Sequence, residues 1–292
     1  MSRNLRLEPA GLVLRVHPAF VSRRRLMSIQ RVRRLVSEHG LTVPVAVSRN
    51  GLTVFRCADR WAELEPYIPH DELADTWSSH AWMFRAMGRL HRCLASLGVA
   101  VPRPPTSIFA APSTLSKWLP TTEAAVDDDR EAREIARSLR RVVSRLRRHW
   151  VSPAQLPAQL VHGDVKLANF GSAPAGETVY LDFGFVALRP RIHDLAFSFT
   201  HSVLMLNERT AADPCLFPWD RARQLVKDYE IATGRPLTPR ERGALAPYTA
   251  AARIYHAAYA GFGNDPGEWL HNNLAAIRLS SWLLEHPEAL SA

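Results

Sequence analysis

The sequence predicts an α+β chain of two lobes, a small strand-rich one at the N-terminal end and a larger helical one after it. Three observations predict this. The first 70 residues hold short β-type runs separated by turn residues. From residue 82 the apolar residues Trp82, Met83, Ala86, Met87, Leu90, Leu94 and Leu97 recur at helical spacing. Between 160 and 200, short strands and tight turns alternate around a set of charged and amide side chains. The boundary is expected near 69–75, giving lobes of 1–70 and 71–292.

The elements follow in order. Residues 12–16 form a compact apolar run that Pro18 ends. Residues 28–39 read as a helix with Ile29, Val32, Leu35 and Val36 on one side, stopped by Gly40. Residues 43–47 and 52–55 flank Ser48-Arg49-Asn50-Gly51, which has the Asn-Gly hairpin signal. A further extended segment spans 64–68 before Pro69. Residues 99–120, rich in Pro, Ser and Thr, read as a connecting loop. Residues 127–150 read as a helix in which Arg133, Arg137, Arg141 and Arg145 share a face. Ser152-Pro153-Ala154-Gln155 and Thr238-Pro239-Arg240-Glu241 both look like capping boxes with proline at the first helical position. The second opens a helix through Ala252, and two final helical stretches follow, at 265–266 onward and 269–284. No internal repeat is visible.

Composition bounds the function. Hydrophobic residues make up 47% and charged residues 22%, ordinary for a globular protein. No apolar run approaches the ~20 residues needed to span a bilayer, and no apolar signal segment follows the first residues, so a cytoplasmic protein with no membrane partner is expected. Cys57, Cys93 and Cys215 are isolated, which argues against a zinc ribbon or a disulfide framework. The net charge of +9 is local, with arginines crowded before residue 35 and again on the 127–150 helix. Such clusters are either solvated faces or attract an anionic partner. Nucleic acid is the disfavoured partner, because neither aromatic–basic interleaving nor a helix-turn-helix signal accompanies the charge.

The chemistry lies in one spacing. His162 and Asp164 are two apart, Asn169 comes five after Asp164, and Asp182 ends Val179-Tyr180-Leu181 thirteen after Asn169. A strand-turn-strand would gather Asp164, Asn169 and Asp182 at one cleft edge. Phosphoryl transfer needs such a set: a carboxylate to orient the attacking hydroxyl and oxygen ligands to hold magnesium against phosphate. His162-Gly163-Asp164, Asn169 and Asp182-Phe183-Gly184 match the signature of the protein-kinase-like superfamily. With His-Gly-Asp and the later His193-Asp194-Leu195-Ala196, the chain resembles the aminoglycoside phosphotransferase-like and homoserine-kinase-like family, strongly over 160–200.

The resemblance implies a two-lobed protein-kinase-like fold and a Mg2+-dependent kinase using ATP or GTP. It implies that Asp164 is the catalytic base, with Lys166 near the transferring phosphate. Asn169 and Asp182 would bind the metal, and Arg15 and Tyr67 would contact the nucleotide. His162 and Asp194 would support the loop. The acceptor would be a hydroxyl of a small natural product or of a peptide Ser or Thr. The basic charge favours a neutral or acidic acceptor, such as an acidic peptide, over a polycationic one.

The sequence also departs from the pattern. No Gly-x-Gly-x-x-Gly precedes Leu12, and if Arg3-Asn4-Leu5 ends the phosphate-covering loop, the first strand is missing and the N-lobe is reduced. Arginine replaces the expected lysine at Arg15, and Gln30 stands where a glutamate should pair with it. Three readings follow: an enzyme that works with a reduced lobe, a protein partner that completes the lobe, or a pseudokinase that scaffolds or activates a partner.

Overall fold

A computed structural model describes residues 3–104, 109–205 and 213–291. The chain forms two compact units. The first comprises Met1–Thr106, Ala158–Arg191 and Ile231–Gly234, and the second Ser107–Pro157, Ile192–Glu230 and Arg235–Ala292. The motif segment, 160–191, thus shares a unit with the N-terminal sheet.

In the first unit, β1 (Arg3–Leu7), β2 (Leu12–Val16), β3 (Phe55–Cys57) and β4 (Arg60–Pro66) form an antiparallel sheet of order β1-β2-β4-β3. Residues 3–5, considered above as the end of a loop, are instead strand, with Arg3 opposite Val16 and Leu5 opposite Leu14. The β2–β4 register sets Val13 opposite Glu65 and Arg15 opposite Glu63. Helix α1 (Arg23–Glu38) starts five residues earlier than its apolar pattern suggests, because Ser22 caps it through the Arg25 amide. Its apolar face, Leu26, Ile29, Val32 and Val36, is buried. Gly40, at φ +79°, ends it in the left-handed conformation.

The Asn-Gly hairpin is the first correction. Asn50 and Gly51 do take positive φ and Arg49 bridges Leu52, but no ladder extends from them. Pro44 lies in one flank and has no N–H to give a ladder. Val47 instead bridges Leu64 of β4, and the hairpin of the sheet is β3–β4.

Next come β5 (Asp71–Glu72) and α2 (Trp77–Ser96), which Thr76 caps through the Ser79 amide. The motif segment adds β6 (Ala158–Val161), β7 (Phe170–Ser172), β8 (Thr178–Tyr180) and β9 (Ala187–Pro190). They form a β5-β7-β8 sheet and a β6-β9 pair. Tyr180 N donates to Thr42 O at 2.9 Å, and its hydroxyl donates to Ala86 O at 3.1 Å, so β8 is tied both to the chain after α1 and to α2.

The second unit is helical: α3 (Pro112–Ala124), α4 (Arg130–His149), α5 (Ile192–Met205), α6 (Trp219–Thr233), α7 (Pro239–Ala258), α8 (Pro266–Asn272), α9 (Leu274–Glu285) and α10 (Glu288–Ser291). Helix α3 corrects the loop expected over 99–120, of which 105–108 lie outside the described residues. Pro112 opens it without cost, since its missing N–H would be unpaired there anyway, and Leu115, Leu119 and Thr122 are buried at helical spacing. Ser152-Pro153-Ala154-Gln155 is also corrected: it makes a single 3-10 turn, and Pro157 follows too soon for a helix. The Thr238 capping box is present as read, with Glu241 N donating to Thr238 Oγ1 at 3.2 Å and Thr238 N to Glu241 Oε2 at 2.9 Å.

Helix α4 buries Ala132, Ile135, Ala136, Leu139, Val142, Val143 and Leu146 against α3, α7 and α9. Its arginines lie on the other side. Arg140 pairs with Glu123 and Arg145 with Glu285, whereas Arg137 and Arg141 are exposed. Among the described residues, no helix is long and apolar enough to cross a membrane.

Because Leu139 is fully buried in this core, Leu139→Ala should lower unfolding free energy by about 3 kcal/mol in urea titration. Arg137→Ala should change it by no more than about 0.5 kcal/mol. A loss at Leu139 as small as that at Arg137 would contradict the packing described.

Candidate active site

Strand β6 runs into His162, which is fully buried. Its Nε2 donates to Leu181 O at 2.8 Å, and its Nδ1 accepts from Asp164 N at 3.3 Å. That bonding assigns the neutral Nε2–H tautomer. One imidazole therefore joins the loop bearing Asp164 to the strand end bearing Asp182, packed edge-on against Phe183 with centroids 5.0 Å apart. Gly163 has φ +84°, and a Cβ there would lie 2.4 Å from Phe185 O. Both conformation and space demand glycine between His162 and Asp164.

Asp164 is 5% exposed. Its Oδ2 accepts from Asn169 Nδ2 at 2.8 Å and faces Lys166 Nζ at 3.1 Å. Asn169 Nδ2 also donates to Asp164 O at 2.7 Å. The five-residue spacing closes through a 3-10 turn, Leu167–Asn169, in which Asn169 N donates to Lys166 O. Leu181 N then donates to Asn169 O at 3.0 Å, which brings Asp182 alongside.

Asp182 sits in the left-handed region, φ 51° and ψ 65°. Its Oδ1 accepts from Gly184 N at 3.3 Å and from Arg15 Nη1 at 3.1 Å. Burial pushes this carboxyl up; the Arg15 charge, the Gly184 amide and the hydrogen bond from Arg15 more than reverse that, so it titrates below the usual range. Asp182 Oδ2 and Asn169 Oδ1 accept no hydrogen bond among the described residues. Both residues line a cavity of about 250 Å³, together with Arg15, Glu65, Tyr67 and Leu181. One carboxylate oxygen and one amide oxygen, both free, suit a hard cation that completes its shell with phosphate oxygens and water. Among the described residues no group of three His, Cys, Asp or Glu side chains is placed to hold a metal ion.

Behind Arg15 lies a buried ionic network that sequence reasoning missed. Arg15 Nη2 is 3.4 Å from Glu65 Oε1. Arg33 bonds both Glu65 and Glu63. Glu63 also accepts from Gln30 Nε2 at 2.8 Å and meets His17 Nε2 at 3.1 Å. Burial raises the Glu63 carboxyl, but Arg33, His17 and Gln30 together bring it down to about 2. Burial also opposes the Arg15 charge, and Glu65, Asp182 and Glu63 outweigh it, so Arg15 is held above its ordinary value.

This arrangement corrects the expectation for Gln30. Its side chain bonds Glu63 and Thr53 O; besides Asp182, the acid that pairs with Arg15 comes from β4, at Glu65, and the ion-pairing residue of α1 is Arg33. The available signal was Glu63 and Glu65 two apart on a strand, hence on one face.

The other expected site residues are placed as follows. Tyr67 lies at the cavity beneath Arg6, whose guanidinium stacks 4.0 Å over its ring, and its amide donates to Gly11 O at 2.8 Å. Asp194 lies in the second unit, in the first turn of α5, fully buried beside His193 Nδ1 at 3.4 Å.

The model of the phosphotransferase enzyme family (APH) matches residues 2–225. The chain belongs to that family. It is accordingly a phosphotransferase, as the motif spacing led us to expect. Solved structures share the fold. A microcompartment-associated aminopropanol kinase is 18% identical with a TM-score of 0.69, over 100% of this chain and 94% of that one. The amicoumacin kinase hAmiN, in complex with AMP-PNP, Ca2+ and Ami, is 15% identical with a TM-score of 0.65, over 91% and 81%. An aminoglycoside phosphotransferase from Alicyclobacillus acidocaldarius is 18% identical with a TM-score of 0.64, over 97% and 86%. No curated protein sequence matches the chain.

The network makes a pH prediction. The native value of Glu63, about 2, lies below its ordinary 4.5, so its stabilising contribution is complete above about pH 4.5 and is lost as pH falls towards 2. Glu63→Gln, which leaves Arg33 short of a carboxylate, should cost about 3 kcal/mol at pH 7. In urea titrations from pH 7 to 2.5, the gap between wild type and variant should close across that window. A gap independent of pH would contradict the assignment.

Proposed function

We propose that this chain transfers the terminal phosphate of ATP or GTP to a hydroxyl of a small molecule, with Mg2+ as the metal. The observation that carries the reading is the set of groups held by one loop and one strand end. The Asp164 carboxylate is fixed by Asn169, and free oxygens on Asn169 and Asp182 line a cavity that Arg15 also enters. The amicoumacin kinase complex with AMP-PNP and Ca2+ supports a nucleotide donor and a divalent metal. The aminopropanol kinase supports a small hydroxyl-bearing acceptor.

Each residue then has a task. Asp164 orients the acceptor hydroxyl and takes its proton as the oxygen bonds the terminal phosphorus and the bond from that phosphorus to the bridging oxygen breaks, releasing the nucleoside diphosphate. Asn169 holds Asp164 by its amide nitrogen and offers its oxygen to the metal, and Asp182 offers its unbonded oxygen. A metal held by those two oxygens would supply positive charge against the phosphate as negative charge develops on it. Lys166, at 3.1 Å from Asp164, meets the transferring phosphate from the same loop. Arg15 contacts the donor phosphates, its charge secured by Glu65, and Tyr67 lies against the nucleotide at the cavity rim. His162 keeps the loop and the Asp182 segment in register. Nucleotide binding is assigned to the N-terminal lobe of 1–70 with the motif loop, and the acceptor to the helices beyond. Because Glu65 supplies the partner that Gln30 cannot, this reading requires no second protein to complete the lobe.

The test is a mass-spectrometric search for a phosphate adduct after incubation with Mg2+, ATP or GTP, and a panel of amino alcohols, aminoglycosides and acidic peptides. On the acceptor that turns over, Asp164→Asn should lower kcat by about 10²- to 10⁴-fold while leaving Mg–nucleotide binding intact. Asp182→Ala should remove metal-dependent nucleotide binding. Unchanged turnover in Asp164→Asn would sink the assignment of the base.

A further inference from the structure

Arg25, in the first turn of α1, is 2% exposed. Its guanidinium bonds main-chain carbonyls alone. Nη2 donates to Gly184 O at 2.7 Å and to Val186 O at 3.0 Å, and Nη1 donates to Pro102 O. Among the described residues it pairs with no carboxylate. Burial, aided by the charge of Arg189, lowers its pKa to about 10, and the group stays protonated at neutral pH.

A buried charge without a counter-ion is a costly way to fill space, and an apolar side chain of similar volume would fill it at lower cost. What an apolar side chain cannot supply is a planar fork of donors. The two carbonyls that share Nη2 lie on either side of Phe185, at the 3-10 turn that follows Asp182. The amide of the same Gly184 donates to Asp182 Oδ1. Gly184 is therefore held from both sides, by Asp182 at its N–H and by Arg25 at its C=O. The fit is close: a Cβ on Gly184 would lie 3.0 Å from Asp182 Oδ1. Asp182 itself takes a left-handed conformation that a non-glycine residue keeps only when its neighbours hold it.

We propose that Arg25 is a positioning residue for the metal site: by fixing the Gly184 and Val186 carbonyls, it sets the turn that presents Asp182 Oδ2 to the cation. The proposal rests on the metal–nucleotide reading given above. It makes the start of α1 part of the metal site, although Arg25 touches neither metal nor phosphate.

The probe is Mn2+, followed by electron paramagnetic resonance in the presence of a non-hydrolysable ATP analogue, on wild type, Arg25→Met and Arg25→Lys. Binding of the same analogue without metal is measured in parallel, and far-UV circular dichroism checks the fold. Folded Arg25→Met should bind Mn2+ about 10- to 100-fold more weakly, with metal-free analogue affinity unchanged. Arg25→Lys, which keeps the charge but not the fork, should fall between the two. Should the Met variant not fold, the Lys variant decides. Wild-type Mn2+ affinity in a folded variant, or an equal fall in metal-free affinity, would overturn the role of Arg25. Failure of the wild type itself to bind Mn2+ with the analogue would instead overturn the phosphotransfer reading beneath it.

Discussion

The pairing of Arg15 with Glu65 is the constraint around which the rest of the first unit is arranged. Arg15 is 8% exposed, and the helix that could have supplied an acid for it carries Gln30. The fold supplies the acid from within the sheet. The antiparallel register of β2 and β4 brings Glu65 and Glu63 to the face that Arg15 occupies, and Arg33 of α1 bonds both acids. Arg15 and Arg33 bring two positive charges, and Glu63, Glu65 and Asp182 bring three negative ones, beside His17. The excess negative charge falls on Asp182, at the rim, where an arriving cation would find it. Buried ionic groups of this kind add little net stability. What they do here is fix one geometry, since moving any member leaves another charge uncompensated.

The second constraint is the closure between the Asp164 loop and the Asp182 turn. His162 spans them with both ring nitrogens, Gly163 leaves room for Phe185 O, and Asn169 uses one amide nitrogen to hold Asp164. The consequence is chemical. The donors of His162 and Asn169 are engaged, while Asn169 Oδ1 and Asp182 Oδ2 remain free. Such a site is prepared for a cation and poorly suited to an anion that comes without one.

Much of this was legible in the sequence, and physical reasons separate what was from what was not. The motif loop was readable because its chemistry fixes residue types at fixed spacing, and Gly163 was readable for a steric reason now visible at Phe185. The α4 stripe and the Thr238 capping box were readable because their bonds are local. The network behind Arg15 was not, because Arg33 and Glu63 are thirty residues apart and the β2–β4 register that aligns them is a tertiary property. Charge counting also misled: the crowded N-terminal arginines look like one surface, yet Arg15, Arg25 and Arg33 are buried and only their neighbours face solvent. Helix α3 was hidden by its composition, since proline and threonine suggest a loop unless the buried Leu115-Leu119-Thr122 spacing is given more weight.

The central claim is that the cavity beside Arg15 holds a nucleotide through its phosphates and a metal, without a glycine-rich strand before Leu12. Calorimetric titration of ATP into wild type and Arg15→Met, each with Mg2+ and with chelator, tests it most directly. The account predicts binding that depends on Mg2+ in the wild type and weakens at least about tenfold in Arg15→Met, the size expected for losing one charge-assisted contact. ATP affinity indifferent both to Mg2+ and to Arg15 would contradict it.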